Sequence, residues 1–173
     1  MEQSYAEANA KKRTTPGVIA LKGILIVLVI FIFLAALLSG YRLIVLVGAA
    51  AIVALVWYWP RFRVEWEYVY CDGQLDFDMI QGGEKRKNIL RIEIEDADVV
   101  APFDSERLAG YRHLIVRDYS SLRPEAKAYG VVTRLEGKEE KILIKFEPTE
   151  RMVEMMHTKC PNIVEKPMEI KQE

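Results

Sequence analysis

The sequence predicts an α+β membrane protein, in which a transmembrane helical hairpin is followed by a mostly antiparallel β split barrel with a C-terminal helix. Three observations predict it. From Leu21 to Trp59 the only charged residues are Lys22 and Arg42, whereas from Arg61 onward charges recur every few residues. A break that sharp separates a bilayer-facing part from a water-facing one. Beyond the break apolar residues alternate with period two, the strand signal. Near the C-terminus that period gives way to a helical one.

The chain divides accordingly into a cytoplasmic N-terminal tail (1–17), a two-helix transmembrane hairpin (18–59), a cytoplasmic β-rich domain (61–160) and a polar tail (161–173). Val18–Leu38 and Leu43–Trp59 are apolar runs. The first matches the roughly 20 residues needed to cross a hydrocarbon core about 30 Å thick, and the second is near the lower limit. Ser39-Gly40-Tyr41-Arg42 supplies the turn between them. The first run is longer than the h-region of a cleaved signal peptide, and a second span follows at once, so both are expected to remain in the chain.

Orientation follows from the basic residues at the helix ends. Lys11, Lys12, Arg13 and Lys22 lie at the start of the hairpin, Arg61 and Arg63 follow it, and Arg42 alone sits in the turn. The positive-inside rule then puts both termini of a plasma-membrane protein in the cytoplasm. Trp57-Tyr58-Trp59 falls where an interfacial aromatic belt belongs. Gly48, Ala49, Ala50, Ala51 and Ala54 on the second helix, and Ala35, Ala36 and Gly40 on the first, are small enough for close packing of the hairpin on itself, with packing between protomers as the alternative. Neither span contains an acidic residue, which argues against an ion pathway.

In the water-facing part, Val64, Trp66, Tyr68 and Tyr70 alternate with Glu65, Glu67 and Val69. Asp72-Gly73 is a two-residue hairpin turn. Leu75, Phe77 and Met79, then Leu90, Ile92 and Ile94, mark two more strands. Short strands are expected near 97–102, 113–119 and 127–135, with a turn at Gly137 before a strand over 141–147. Thr149 caps a final helix whose apolar positions are Met152, Met155, Met156 and Cys160, and Pro161 ends it.

About seven antiparallel strands and one amphipathic helix is the order of a pleckstrin-homology-like split barrel. The motifs Glu67-Tyr68-Val69-Tyr70, Asp72-Gly73-Gln74-Leu75-Asp76, Lys85-Arg86-Lys87, Ala101-Pro102 and Phe146-Glu147-Pro148-Thr149-Glu150 carry a wider likeness. Through them the chain, nearly end to end, resembles a family of small uncharacterised bacterial membrane proteins. Their two N-terminal transmembrane helices precede a pleckstrin-homology-like domain. The resemblance implies architecture and no activity. The basic first loop with which many pleckstrin-homology domains take inositol phosphates is here Cys71-Asp72-Gly73-Gln74, which carries an acid and no base.

Composition excludes some partners. The first 60 residues hold five basic and two acidic residues, and the remainder holds 19 basic and 23 acidic, so the domain lacks the basic excess that nucleic acid requires. The two cysteines, Cys71 and Cys160, suggest neither a disulfide framework nor a metal site. Asp76 and Asp78 share one strand face about 7 Å apart, and Glu93 and Glu95 repeat the pattern; a solvated face is the expected reading. His113 and His157 stand near no nucleophile motif. No catalytic, cofactor-binding or metal residue is expected.

The candidate site is basic. A strand that leaves the membrane and a second that returns would bring the loop Gln81–Lys87 within about 10 Å of the starting level. Lys85, Arg86 and Lys87 would then join Arg61 and Arg63 as contacts for anionic lipid headgroups, the alternative being an ordinary solvated loop. The expected function is a non-enzymatic interaction or scaffolding module at the cytoplasmic membrane surface, with a protein partner or self-association as further expectations. The alternatives are an accessory subunit of a membrane transport or envelope-stress complex, docking through its helices, and an enzyme whose site is scattered in sequence.

Overall fold

A computed structural model of the protein describes residues 5–135 and 140–166. The expected Gly137 turn lies outside the described residues. The chain forms two compact units. One is helical and comprises Arg13–Val64 with the turn Gln81–Glu84; the other contains the sheets.

In the helical unit, α1 spans Pro16–Leu38 and α2 spans Arg42–Tyr58, running on into a 3-10 turn over Trp59–Phe62. Pro16 takes the first turn of α1, where its missing N–H costs nothing. Both helices are long and apolar enough to cross a membrane. Their large side chains face outward: Phe31 is 70% exposed and Leu43 78%. Two of the small residues expected at the seam lie in it, Ala36 and Gly48, whereas Ala35, Ala49, Ala50 and Ala54 are exposed. Ala36 is buried, and a Cβ on Gly48 would stand 3.2 Å from Phe33 Cδ2 and 3.3 Å from Phe33 Cα. Any larger residue there would oblige Phe33 to shift by a few tenths of an ångström.

The sheet unit begins before the helices do. Tyr5–Lys11 forms β1, where the sequence reading placed a tail. It pairs antiparallel with β2 (Val64–Cys71) over its whole length, from Tyr5 opposite Cys71 to Lys11 opposite Glu65. Ala6, Ala8 and Ala10 are buried, while the residues between them are exposed. Alanine carries little strand propensity, so the alternation is real but weak as a sequence signal. The small side chains suit their position, because the C-terminal helix packs close to β1. The helical hairpin is therefore an insertion between the first two strands of the domain, and does not simply precede it.

β3 (Gln74–Gln81) and β4 (Lys85–Glu93) complete the first sheet in the order β1-β2-β3-β4. The turn from β2 to β3 is Asp72-Gly73, with φ of +48° and +106°. Two successive positive φ values explain the Asp-Gly pair. The second sheet has the order β5-β7-β8-β6, with β5 at Val99–Pro102, β6 at Ile115–Asp118, β7 at Tyr129–Arg134 and β8 at Lys141–Phe146. β5–β7 and β7–β8 are antiparallel, but β6 runs parallel to β8. Alternation reports which face a strand buries and says nothing of its direction, so the sequence could not show this.

Aromatic rings fill the core between the sheets. Phe77 lies 5.7 Å from Tyr68, 5.5 Å from Phe146 and 5.5 Å from Tyr119, centroid to centroid. The Tyr68 hydroxyl donates to the Tyr119 carbonyl, which satisfies a fully buried phenol. A smaller core of Val99, Ala101, Leu108, Val132 and Leu143 lies under the 3-10 turn Glu106–Tyr111. The second sheet thus buries both faces, which is why Val131-Val132 and Ile142-Leu143-Ile144 read as continuous apolar runs.

α3 spans Glu150–Lys159, and the Thr149 hydroxyl accepts from the Met152 amide at its start. Met152, Val153 and Met156 are buried, and Met155 is half-buried. The chain beyond Pro161 is not wholly a free tail. Val164 is fully buried and bridges Val100 in parallel. The Val100 amide donates to Ile163 O, and the Glu165 amide donates back to Val100 O. The outer edge of β5 is thereby closed by the chain itself, which protects an edge strand from foreign pairing.

Candidate functional site

The five basic residues singled out from the sequence have different fates. Arg61 lies in the 3-10 turn that ends α2, with its guanidinium 4.6 Å from the Trp57 ring and 5.0 Å from the Tyr58 ring. Lys22 of α1 sits similarly over Trp59 and Phe62, at 5.0 and 5.2 Å. These are cation–π distances, and they gather aromatic and basic groups at the base of the hairpin. Arg63 caps the same 3-10 turn, and its side chain is exposed.

The β3–β4 turn meets this base, as the strand-length argument required. The Gly82 amide donates to Arg63 O at 2.9 Å, and Gln81 Nε2 donates to Arg61 O at 3.1 Å. Lys85 and Lys87, at the start of β4, are exposed. Arg86 differs from its two neighbours in having carboxylate partners. Its Nε donates to Asp78 Oδ2 at 2.7 Å, and its second amine lies 2.9 Å from Glu67 Oε2. Glu67 and Asp78 are 8% and 6% exposed. Two buried carboxylates on neighbouring strands need a counter-charge, and Arg86 supplies it.

Asn88 adds a bond to Asp78 Oδ1, and Tyr5 donates to Glu7 at the edge of the same face. The electrostatics follow. Burial pushes the Glu67 carboxyl above its ordinary value, and the adjoining Glu7 carboxylate pushes it further. Glu7 is held below its ordinary value by the Tyr5 hydroxyl and by Glu67. The bond to Asp78 raises the Arg86 guanidinium above its ordinary value and keeps it charged.

The other acidic candidates are also engaged. Asp76 takes a bidentate bond from Arg91 at 2.6 and 3.0 Å, Glu93 accepts from Gln74, and Glu95 lies 3.7 Å from Lys159. Among the described residues no group of three or more His, Cys, Asp or Glu converges on a point. His157 Nδ1 lies 2.7 Å from Val164 O, where it ties α3 to the C-terminal segment, and His113 is exposed.

The Glu147-Pro148-Thr149 motif now has a local reason. Glu147 accepts from both the amide and the hydroxyl of Ser121, which anchors the loop after β6, and Thr149 caps α3. Sequence reasoning missed one further residue. Tyr129, at the start of β7, is buried, and its hydroxyl has no hydrogen-bond partner among the described residues. It lines a cavity of about 320 Å³ beside the first turn of α3. A tyrosine opening an apolar strand carries no sequence signal for this.

Comparison with known families agrees with the architecture. The family model described as Bacterial PH-like domain (DUF6106) matches residues 2–166, a span that takes in β1, both helices, both sheets and α3. No curated protein and no solved structure matches. With nearly its whole length under that one model, the chain belongs to the bacterial PH-like domain family DUF6106.

Proposed function

We propose that the protein is a membrane-anchored, non-enzymatic interaction module whose PH-like domain is held at the cytoplasmic membrane surface by the hairpin inserted within it. One observation carries this reading: β1 pairs with β2 along its full length, with the hairpin between them. A chain that leaves a sheet through α1 and returns to it through α2 must begin and end on one side of any bilayer it crosses. The basic residues Lys11, Lys12, Arg13, Arg61 and Arg63 at that end favour the cytoplasmic side. The ring of Lys22, Trp57, Tyr58, Trp59 and Arg61 has the composition of an interfacial belt.

Arg61, Arg63, Lys85 and Lys87 remain the candidate contacts for anionic headgroups, each contributing about 1 kcal/mol near the surface. Arg86 leaves that set, because its charge is taken up by Glu67 and Asp78. The working surface is then the domain itself, offered to a protein partner. Reporter fusions test the orientation. A green fluorescent protein at the C-terminus should fluoresce, and alkaline phosphatase inserted at Gly40 should be active outside the cell. The opposite pattern at either position defeats the reading. Exchanging the hairpin for an unrelated one separates it from an accessory subunit docked through its helices. An interaction module keeps its partners after the exchange, and a helix-docked subunit loses them.

A further inference from the structure

We propose that the open edge of β6 is the docking surface of the domain, and that it takes an extended acidic segment of a protein partner as an added strand. That role rests on the reading of the domain as an interaction module, and it gives the partner a chemistry. β6 ends the order β5-β7-β8-β6, so among the described residues only β8 pairs with it. The Tyr119 amide donates to Lys145 O on the β8 side. Main-chain groups alternate in direction along a strand. Those of Arg117 therefore turn toward β8 as well, and those of Val116 turn outward, where a further strand can meet them.

The four sheet edges are not treated alike. β5 is closed by residues 163–165. β4 opens with the polar run Lys85-Arg86-Lys87-Asn88, and β1 exposes Tyr5, Glu7, Asn9 and Lys11. Charged edges of that kind discourage foreign pairing. β6 alone among the four exposes branched apolar side chains: Ile115 is 68% exposed and Val116 45%. Successive side chains of a strand point to opposite faces. Neither face of this end of β6 is therefore covered by the rest of the domain.

Charge selects the occupant. Arg112 before the strand, Arg117 within it and Arg123 after it make no ion pair among the described residues. The carboxylate on the strand, Asp118, is taken up by the amide and hydroxyl of Ser120. Glu147, which holds the following loop, is taken up by Ser121. A second copy paired edge to edge would double the arginines along one seam, and like charges across a strand pair repel. An acidic strand meets them with opposite charge, and its alternate apolar side chains cover Ile115 or Val116. A lipid surface offers no ladder of alternating donors and acceptors to complete the edge.

The test uses the full-length protein in zwitterionic lipid nanodiscs, with the soluble peptide acetyl-Glu-Val-Glu-Val-Glu-Val-Glu-amide as the probe. Titration is followed by amide NMR. Saturable shifts at Ile115, Val116 and Arg117 are expected, with slowed exchange of the Val116 amide. Val116→Pro removes the outward N–H, which an edge strand tolerates, and should weaken binding roughly fivefold, the worth of one net hydrogen bond. Arg117→Glu leaves the backbone intact and should weaken it by a similar factor, since it turns an attraction into a repulsion. An absence of saturable shifts up to the peptide's solubility overturns the proposal. So does either variant, folded by its amide spectrum, that binds as tightly as the wild type. Slow Val116 exchange that grows with protein concentration in the absence of peptide would give the edge to a second copy. The same shifts produced by anionic nanodisc lipid without peptide would give it to the membrane. Either result overturns the proposal too. A protein that keeps its partners after exchange of the hairpin yet fails to bind the peptide defeats the β6 site alone. Loss of those partners on exchange defeats the module reading whatever the peptide does.

Discussion

If the hairpin is an insertion within the domain, removing it should leave a domain that folds. The perturbation replaces residues 12–64 by Asn-Gly, joining Lys11 directly to Glu65. Those two residues are paired across β1 and β2, and their side chains meet at 3.7 Å. Their Cα atoms therefore lie within about 5.5 Å, a span that a two-residue type I′ turn closes. Replacing a connection of roughly 50 residues by two lowers the closure cost by about 3 kcal/mol for a flexible chain. Because the natural connection is helical and already ordered, about 3 kcal/mol is an upper bound on the gain. The shortened chain should be soluble without detergent. Trp66, packed 4.7 Å from Tyr119, should report a single cooperative urea transition. Amides of β1 should exchange as slowly as those of β2. Rapid exchange in β1 within an otherwise folded domain would refute the inserted architecture. A chain that remains soluble but unfolded would show that the helices contribute stability beyond connectivity.

The polar face and the seams give further expectations. Arg86→Met leaves Glu67 and Asp78 buried without their counter-charge. With the arginine side chain 55% exposed, solvent screening reduces the usual cost of 3–5 kcal/mol to about 2 kcal/mol. Urea melts should show that loss at neutral pH while Lys87→Met shows none. A vesicle-binding defect in Arg86→Met without loss of stability would return Arg86 to the lipid-contact set. The raised Glu67 carboxyl stabilises the fold in its protonated form, so its contribution is complete below about pH 4.5 and is lost as pH rises through the folded value. Glu67→Gln should flatten the pH dependence of the melting temperature on the alkaline side of 4.5. Gly48→Leu places a side chain against the Phe33 backbone and should weaken the helical hairpin by roughly 1–3 kcal/mol, read by steric trapping in bicelles. Val164→Asp puts a charge at a fully buried position and should release residues 163–165 from β5, seen as rapid exchange at the Val100 amide.

Much of this fold was legible because burial writes a period into sequence. Trp66, Tyr68 and Tyr70 face the core at alternate positions, Asp72-Gly73 turns the chain, and Met152 and Met156 mark the buried side of α3. β1 escaped because its buried positions are alanines, chosen by the closeness of α3 and carrying too little apolar weight to register as a strand. The parallel partner of β8 escaped because side-chain alternation does not encode direction. The partners of Arg86 escaped for a related reason. A run of three basic residues looks uniform, yet on a strand its middle member points to the opposite face from Lys85 and Lys87. There the carboxylates of Glu67 and Asp78, distant in sequence, were waiting for it.

The inserted hairpin also changes what the basic residues are needed for. A domain hung from one linker depends on surface charge to stay near a bilayer, and that attraction fades beyond a Debye length of about 8 Å at physiological salt. Here the hairpin is flanked by paired strands, β1 four residues before α1, and β2 just after the Trp59–Phe62 turn. The hairpin is thus joined to the domain by two covalent connections, about 5.5 Å apart at their paired ends, rather than by one. If the hairpin spans a bilayer as proposed, retention there owes nothing to Lys85 or Lys87, whose proposed lipid contacts adjust only the angle at which the domain faces the lipid. Raising the salt from 0.1 to 1 M should therefore leave the protein in the membrane fraction. Spin-label accessibility near Lys85 should change over the same range, and that change should vanish when Lys85 and Lys87 are both replaced by glutamine. If accessibility is insensitive to salt in the unaltered protein, the two connections alone set the domain's posture and the lysines are ordinary solvated side chains.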